Sequence, residues 1–276
     1  MIRQAIIPLA GLGTRLLPIT SVFPKELLPI NGKPGIEYIL DECIEAGIKE
    51  IIFIISKKKE LIKRYFNNDQ LYKKIIKKKK DKRILNEYKK IQKYRKMIKF
   101  VYQNKPKGTG DAVLKTKNII KDNFFLMLLP DDLIIKKNCS KDMISVHNKK
   151  KCSVMASMRV NKKSVNRWGI YSKRSTIDKN NFYINDVIEK PNIKSAPSNN
   201  AVIGRYILPK KIFSKLKNQK KGKGGEIHIT DAIRNLIKEG ELFVGHIFRG
   251  KYLDCGTMSG YIKSSQEISR IWNYAS

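Results

Sequence analysis

The chain has 276 residues, 41% hydrophobic and 9% aromatic, enough apolar material for one large domain or two small ones and too much for a disordered tail or a disulfide-stapled miniprotein. Its 58 Lys+Arg against 24 Asp+Glu leave a formal net charge of +34, a balance that suggests nucleic acid, an anionic membrane or a phosphorylated substrate as partner. Yet Lys, Ile, Asn and Tyr, whose codons are rich in A and T, crowd positions with no evident task, so the excess charge weighs less than a motif.

In chain order, residues 4–9 read as a buried strand that runs into the turn Ala10-Gly11-Leu12-Gly13-Thr14-Arg15, a candidate phosphate site. From Gly35, the residues Ile36, Ile39, Leu40, Cys43 and Ile44 recur at helical spacing and Gly47 supplies the stop. A β-branched strand follows over residues 50–55. Residues 57–97 are dense in Lys but keep a helical rhythm through Leu71, Tyr72, Ile75, Ile76, Leu85, Tyr88 and Ile91, which predicts a helical insertion with a solvated charged face. Next come a strand over 98–103, a helix over 111–118 and a buried strand over 124–129 that ends at Pro130-Asp131-Asp132. Beyond Cys152 shorter strands (154–159, 169–172, 183–189, 201–208) precede helices over 229–238 and 258–274. The alternation predicts one α/β domain, residues 1–276, with a mostly parallel mixed sheet flanked by helices.

The sequence Gly11-x-Gly13 begins like a dinucleotide fingerprint, but Leu16 stands at the third glycine's place, which weakens that reading. Arg15 points elsewhere: glycines let backbone approach an anion, and a fixed guanidinium clamps phosphate oxygens with paired hydrogen bonds. Taken singly, the loop is an ordinary turn. Likewise Asp131 and Asp132 read equally as caps of the next element, Asp254 as a turn residue and Lys190 as one more surface lysine. The three histidines lack metal-ligand spacing, and Gly256-Thr257-Met258-Ser259-Gly260 puts its serine one position too late for a nucleophile elbow. Cys43, Cys139, Cys152 and Cys255 are widely spaced, which fits a reducing cytoplasm, and neither a secretory signal nor an apolar run of the roughly 18 residues of a membrane helix is read.

Together, Gly11-x-Gly13-Thr14-Arg15-x-x-Pro18-x-Thr20 and Pro24-Lys25-x-x-x-Pro29 resemble the opening signature of the sugar-nucleotide pyrophosphorylases. Ala10 before the first glycine, and Glu26-Leu27-Leu28-Pro29 after Lys25, are similar to the bacterial UTP–glucose-1-phosphate uridylyltransferase branch. Further matches run in family order over nearly the whole chain: Lys107-Gly108-x-Gly110-x-Ala112, Leu129-Pro130-Asp131, Trp168-Gly169-Ile170, Val187-Ile188-Glu189-Lys190-Pro191, Val202-Ile203-Gly204-Arg205-Tyr206, Glu226-Ile227-x-Ile229-Thr230-Asp231-Ala232 and Asp254-Cys255-Gly256. Asp111 and His228 depart from the His and Gln of close relatives, and the C-terminal helix stops early.

The resemblance implies a Rossmann-like nucleotidyltransferase fold and transfer of a uridylyl group from UTP to glucose 1-phosphate, giving UDP-glucose and pyrophosphate. It implies that Arg15, Lys25 and Lys190 are catalytic, and that Ala10, Gly11, Gly13, Thr14, Gln103 and Gly108 bind the nucleotide. Gly169, Glu189 and Gly204 would bind the sugar, while Asp131 and Asp254 would hold Mg²⁺, a hard cation that takes one or two carboxylates beside phosphate oxygens. Asp132 is expected in a supporting role. A homo-oligomer is expected; a nucleic-acid or membrane partner is not. The alternatives are thymidylyl transfer to the same sugar phosphate, since a single methyl separates the bases, and a basic nucleic-acid-binding protein. Against the latter, the Lys runs at 57–59, 77–80 and 149–151 are scattered and carry no recognition motif.

Overall fold

A computed structural model describes residues 1–79 and 81–271, which leaves Lys80 and residues 272–274 of the expected last helix outside the described residues. β1 (Gln4–Pro8) leads through the loop carrying Arg15 and Lys25 to the small hairpin β2 (Pro29–Ile30) and β3 (Lys33–Pro34), then α1 (Gly35–Glu45) and β4 (Glu50–Ile55). Ile36, Ile39, Leu40 and Cys43 are the buried face of α1, as their spacing requires. Three helices, α2 (Glu60–Asn67), α3 (Gln70–Lys79) and α4 (Lys82–Met97), lie between β4 and β5 (Ile98–Tyr102). Asp81 caps α4 by accepting from the Arg83 and Ile84 amides.

The chain continues through α5 (Thr109–Leu114), β6 (Phe124–Leu128), β7 (Asp132–Ile135), α6 (Cys139–Lys150), β8 (Ser153–Arg159), β9 (Gly169–Thr176), β10 (Asn181–Glu189) and β11 (Asn200–Pro209). It ends with α7 (Ile212–Lys217), α8 (Ile229–Lys238), β12 (Phe243–Ile247), β13 (Lys251–Asp254) and α9 (Met258–Ile271). The helix expected over 111–118 is α5, which starts earlier and stops at Leu114. Gly108 supplies a positive φ of 102° just before it, and after it Thr116 donates from both its amide and its hydroxyl to the Val113 carbonyl, closing a tight turn.

Nine strands form one sheet in the order β5-β4-β1-β6-β11-β8-β12-β10-β9. The expectation of a mostly parallel sheet holds for one half: β5, β4, β1 and β6 are parallel. In the other half only β12 and β8 pair in parallel, while β6–β11, β11–β8, β10–β12 and β10–β9 are antiparallel. The physical reason lies in the connections: a few residues join β9 to β10, too few for the helical crossover that parallel neighbours need. Both faces are covered. Ala5, Ile7, Ile51 and Phe53 pack against α1, α2 and α4, whereas Ile6, Ile52 and Ile54 pack against α5, α7 and α8, so the first strands are apolar on both faces. Among the described residues no helix is long and apolar enough to cross a membrane.

From β1 the chain passes to β4 and β5 on one side, and β6 then returns to β1's other side. The loops after β1 and β6 therefore diverge, and an open α/β sheet takes its ligands in the crevice at such a point.

Candidate active site

A cavity of about 590 Å³ opens at this crevice. The loop after β1 lines it with residues 10–15, among which Gly13 takes the left-handed conformation at φ 70°. A side chain at Gly13 would be strained there and would press on Thr20, whose hydroxyl donates to the Gly13 carbonyl at 2.8 Å. Lys25 follows from the next turn. Its ammonium lies 2.6 Å from Asp131 Oδ2, and the Arg15 guanidinium lies 3.6 Å from the same oxygen.

These charges shift one another. Burial pulls the Lys25 ammonium down, but the Asp131 and Glu26 carboxylates and the hydrogen bond to Asp131 outweigh it and hold the pKa above the ordinary lysine value. For Asp131, burial pushes upward, and the Lys25 charge, its hydrogen bond and Arg15 win, leaving the carboxyl below the usual range. Asp132 behaves oppositely: burial, and then the Asp131 charge, push it up to about 6. Its oxygens are engaged within the protein, Oδ1 accepting from the Tyr252 hydroxyl at 2.6 Å and Oδ2 from the Gly204 amide at 2.9 Å.

What holds the Asp131 segment is Arg205, which is fully buried. It makes three contacts of 2.8–3.1 Å with the Glu42 carboxylate and donates to the carbonyls of Leu129, Gly204 and Asp132. The register of β11 against β8 shifts between Val202 and Tyr206, a bulge beside the site that frees Gly204 and Arg205 from the β8 ladder. From the other side, β13 pairs with β7 so that Asp254 faces Asp132, and the Cys255 amide donates to the Asp131 carbonyl.

This pairing brings the two candidate metal ligands together across 123 residues of sequence. A Cβ added at Gly256 would lie 2.7 Å from Asp131 Oδ2, 2.9 Å from Arg15 Nη2 and 3.2 Å from Asp254 Oδ1, so the three groups surround one spot that only a glycine leaves open. Two carboxylates about such a gap fit Mg²⁺, which completes its shell with waters and phosphate oxygens. Among the described residues no group of three or more His, Cys, Asp and Glu side chains could hold a metal by itself.

Glu189 and Lys190 line the cavity beyond Asp131. Lys190 has φ 46°, a conformation that costs a non-glycine residue on the order of 1 kcal/mol and tends to occur where function demands it. Its amide donates to the Trp168 carbonyl at 3.0 Å. Glu189 accepts from the Thr230 hydroxyl at 3.3 Å, and its carboxylate lies 3.2 Å from where a Cβ on Gly169 would sit. Gln103 and Gly108 line the cavity as well, with Gly108 packed so closely on Ile227 that a Cβ would stand 2.6 Å from the Ile227 carbonyl.

Thus the structure gathers Ala10, Gly11, Gly13, Thr14, Arg15, Lys25, Gln103, Gly108, Asp131, Glu189 and Lys190 around one cavity. Gly169, Gly204 and Asp254 stand outside its lining: Gly169 backs Glu189, Gly204 lets Leu129 and Asp132 approach to 2.5 Å of a Cβ position, and Asp254 faces the Gly256 gap. Sequence reasoning passed over Lys59, whose ammonium contacts both Glu26 oxygens at 2.7 and 2.8 Å behind Lys25. Nothing in the run Lys57-Lys58-Lys59 marks its third member. It also passed over the Arg205–Glu42 pair, although Arg205 amid an apolar strand is a signal that a buried charge needs a partner.

The nucleotidyl transferase family model matches residues 4–270. The UTP–glucose-1-phosphate uridylyltransferase of Mycoplasma pneumoniae is 38% identical over 96% of this chain and 91% of its own length. A UDP-glucose pyrophosphorylase solved in complex with UDP-glucose superimposes with a TM-score of 0.88 at 36% identity, covering 99% of this chain and all of the other. A UTP-bound UGPase from Acinetobacter baumannii gives 0.89 at 33% identity, over 99% and 95% of the two chains.

Proposed function

The chain belongs to the nucleotidyl transferase family, and from that premise we propose that it transfers the uridylyl group of UTP to α-D-glucose 1-phosphate, giving UDP-glucose and pyrophosphate. The observation that carries the reading is the cation arrangement. Arg15 and Lys25 stand beside Asp131, and Lys190 and Glu189 line the same cavity, an arrangement that would receive the phosphates of two substrates.

The nucleophile is a sugar-phosphate oxygen, already anionic near neutral pH, so the site needs no catalytic base. Rate comes from positioning two anions in line and neutralising their charge. The backbone at Gly13 and Thr14 holds the triphosphate, and Gln103 and Gly108, with the backbone at Ala10 and Gly11, face the uracil. Lys190 holds the attacking phosphate against its repulsion from UTP. Arg15 and Lys25 stabilise the α-phosphate and the departing pyrophosphate. Gly169 leaves room for the Glu189 carboxylate and Gly204 for Asp132 and Leu129, and Glu189 accepts from the glucose hydroxyls. Asp131 and Asp254 would hold Mg²⁺, which when bound supplies positive charge to the phosphate oxygens.

The experiment is incubation of the chain with Mg²⁺, glucose 1-phosphate and each of the four nucleoside triphosphates, with pyrophosphate release as the readout. UTP should support release far above ATP, GTP and CTP. Equal release with ATP, or none with UTP, would remove the reading; thymidine triphosphate as a fifth arm measures how far the site tolerates the extra methyl.

A further inference from the structure

Gln103 follows β5, and its backbone amide donates to the Ile55 carbonyl at 2.8 Å. Its side-chain nitrogen donates to the Gly108 carbonyl at 3.2 Å and to Asp111 Oδ2 at 2.7 Å. Both partners only accept. The two ends of a glutamine amide are otherwise hard to tell apart, but here the nitrogen must face Gly108 and Asp111, because the opposite orientation would set oxygen against two oxygens. Asp111 Oδ1 in turn faces the Lys115 ammonium at 3.6 Å, so the carboxylate accepts from Gln103 on one side and meets a cation on the other. Asp111 is buried and stands behind the cavity wall, whereas Gln103, Gly108, Thr109 and Ala112 line it. With both amide hydrogens engaged, Gln103 has only Oε1, an acceptor, left for a ligand.

We propose that Asp111 is a specificity-determining positioning residue: by holding the Gln103 amide in one orientation, it makes the base pocket accept a hydrogen bond and therefore select bases that carry an N3–H. This rests on the reading that places the nucleotide base at Gln103. Uracil and thymine present a donor at N3 at neutral pH, and cytosine presents a lone pair. Opposite Oε1, cytosine would set acceptor against acceptor, and a buried polar group left unpaired is the strongest means a site has of rejecting an analogue. A carboxylate suits the task better than a carboxamide or hydroxyl, because an Asn or Ser at 111 could donate to Oε1 and let the amide turn over. Asp111 makes no distinction between uracil and thymine, which share the N3–H.

The test is equilibrium binding of UTP, thymidine triphosphate and CTP to the full chain by calorimetry, for the parent, Asp111→Asn, Asp111→Ser and Gln103→Ala. The measurements are made below each variant's unfolding midpoint, alongside kcat and the KM for glucose 1-phosphate. The parent should bind UTP and thymidine triphosphate well and CTP poorly. In Asp111→Asn and Asp111→Ser the UTP-to-CTP preference should fall at least about tenfold, chiefly through tighter CTP binding, while the KM for glucose 1-phosphate stays within about threefold. Gln103→Ala should erase the preference. Full discrimination in both Asp111 variants overturns the proposal and leaves the functional reading intact. A parent that binds UTP no better than CTP, or a Gln103→Ala variant that keeps the preference, overturns instead the placement of the base on which it rests.

Discussion

Among the described residues the cavity lining carries only Lys25 and Lys190, whereas the layer of α2, α3 and α4 is dense in lysine, and the two regions use the residue in opposite ways. Lys25, half-buried, and Lys59, buried, lie against Asp131 and Glu26, with nitrogen–oxygen distances of 2.6–2.8 Å. Lys74, Lys77 and Lys78 on α3 are exposed. Burying an ammonium costs several kcal/mol unless a carboxylate meets it, so a lysine is found inside only where its position has a use. The balance is visible in these two cations: Asp131 and Glu26 together hold the Lys25 pKa up, whereas for Lys59 burial outweighs the attraction of Glu26 and the pKa falls. The helical layer attaches to the body differently, through the apolar side chains Ile62, Phe66, Ile91 and Tyr94, with Phe66 edge-on to Phe53 of β4. Lys90 of this layer meets the Glu37 carboxylate at 2.7 Å, but the exposed Lys74, Lys77 and Lys78 need no partner because water solvates them. The net charge of the chain therefore reports little about the site; pairing and burial report a great deal.

Substitutions at either region can break this contrast. The largest effect is expected at Asp131, where Asp131→Asn keeps the shape but removes the carboxylate that faces Lys25, Arg15 and the Gly256 gap. Turnover should fall by about 10⁴-fold, roughly 5 kcal/mol of lost transition-state stabilisation, with circular dichroism unchanged; near-normal turnover with Mg²⁺ would sink the assignment.

Arg205→Met comes next and acts on stability, because among the described residues it leaves the buried Glu42 carboxylate with only the Ser140 amide and hydroxyl as partners. A loss of about 3–5 kcal/mol is expected. Urea denaturation should show it, and should show much of it recovered in the double variant Arg205→Met/Glu42→Leu. Equal stability of the single variant and the parent would mean that the pair does not hold the Asp131 segment.

Lys190→Ala should lower kcat/KM for glucose 1-phosphate by about 10²-fold and leave UTP affinity nearly unchanged, the pattern of one preorganised charge lost from one substrate's side. Unaltered sugar-phosphate kinetics would make Lys190 one more solvated lysine. The smallest effect belongs to the exposed face. Conversion of Lys74, Lys77 and Lys78 to Gln should keep UDP-glucose synthesis within about threefold at physiological salt, where screening beyond roughly 8 Å removes long-range steering. A large fall in synthesis would erase the contrast between the two regions.

Much of this organisation is legible in local sequence. The strand–turn over residues 4–15, the helix from Gly35 and the strand over residues 50–55 are set by apolar periodicity and glycine punctuation, which act within a few residues and so survive without tertiary context. The β7–β13 pair, α6 and β12 are not legible in this way. Asn, Lys and Ser dilute the periodicity of α6, and β7 and β13 are four-residue strands that persist because each satisfies the other's backbone. The candidate site divides along the same line. Arg15 stands in a glycine turn whose residue types already suggest phosphate chemistry, whereas the roles of Lys25, Asp131 and Lys190 are implied by the family resemblance. That Asp254 meets Asp131 across Gly256, that Lys59 rather than Lys57 or Lys58 reaches Glu26, and that Asp111 fixes the Gln103 amide were decided only when distant segments packed. Sequence determines which chemical groups are available and the local backbone that presents them. Burial and pairing depend on contacts between residues far apart in the chain, and these decide which lysine is a working charge and which is merely wet.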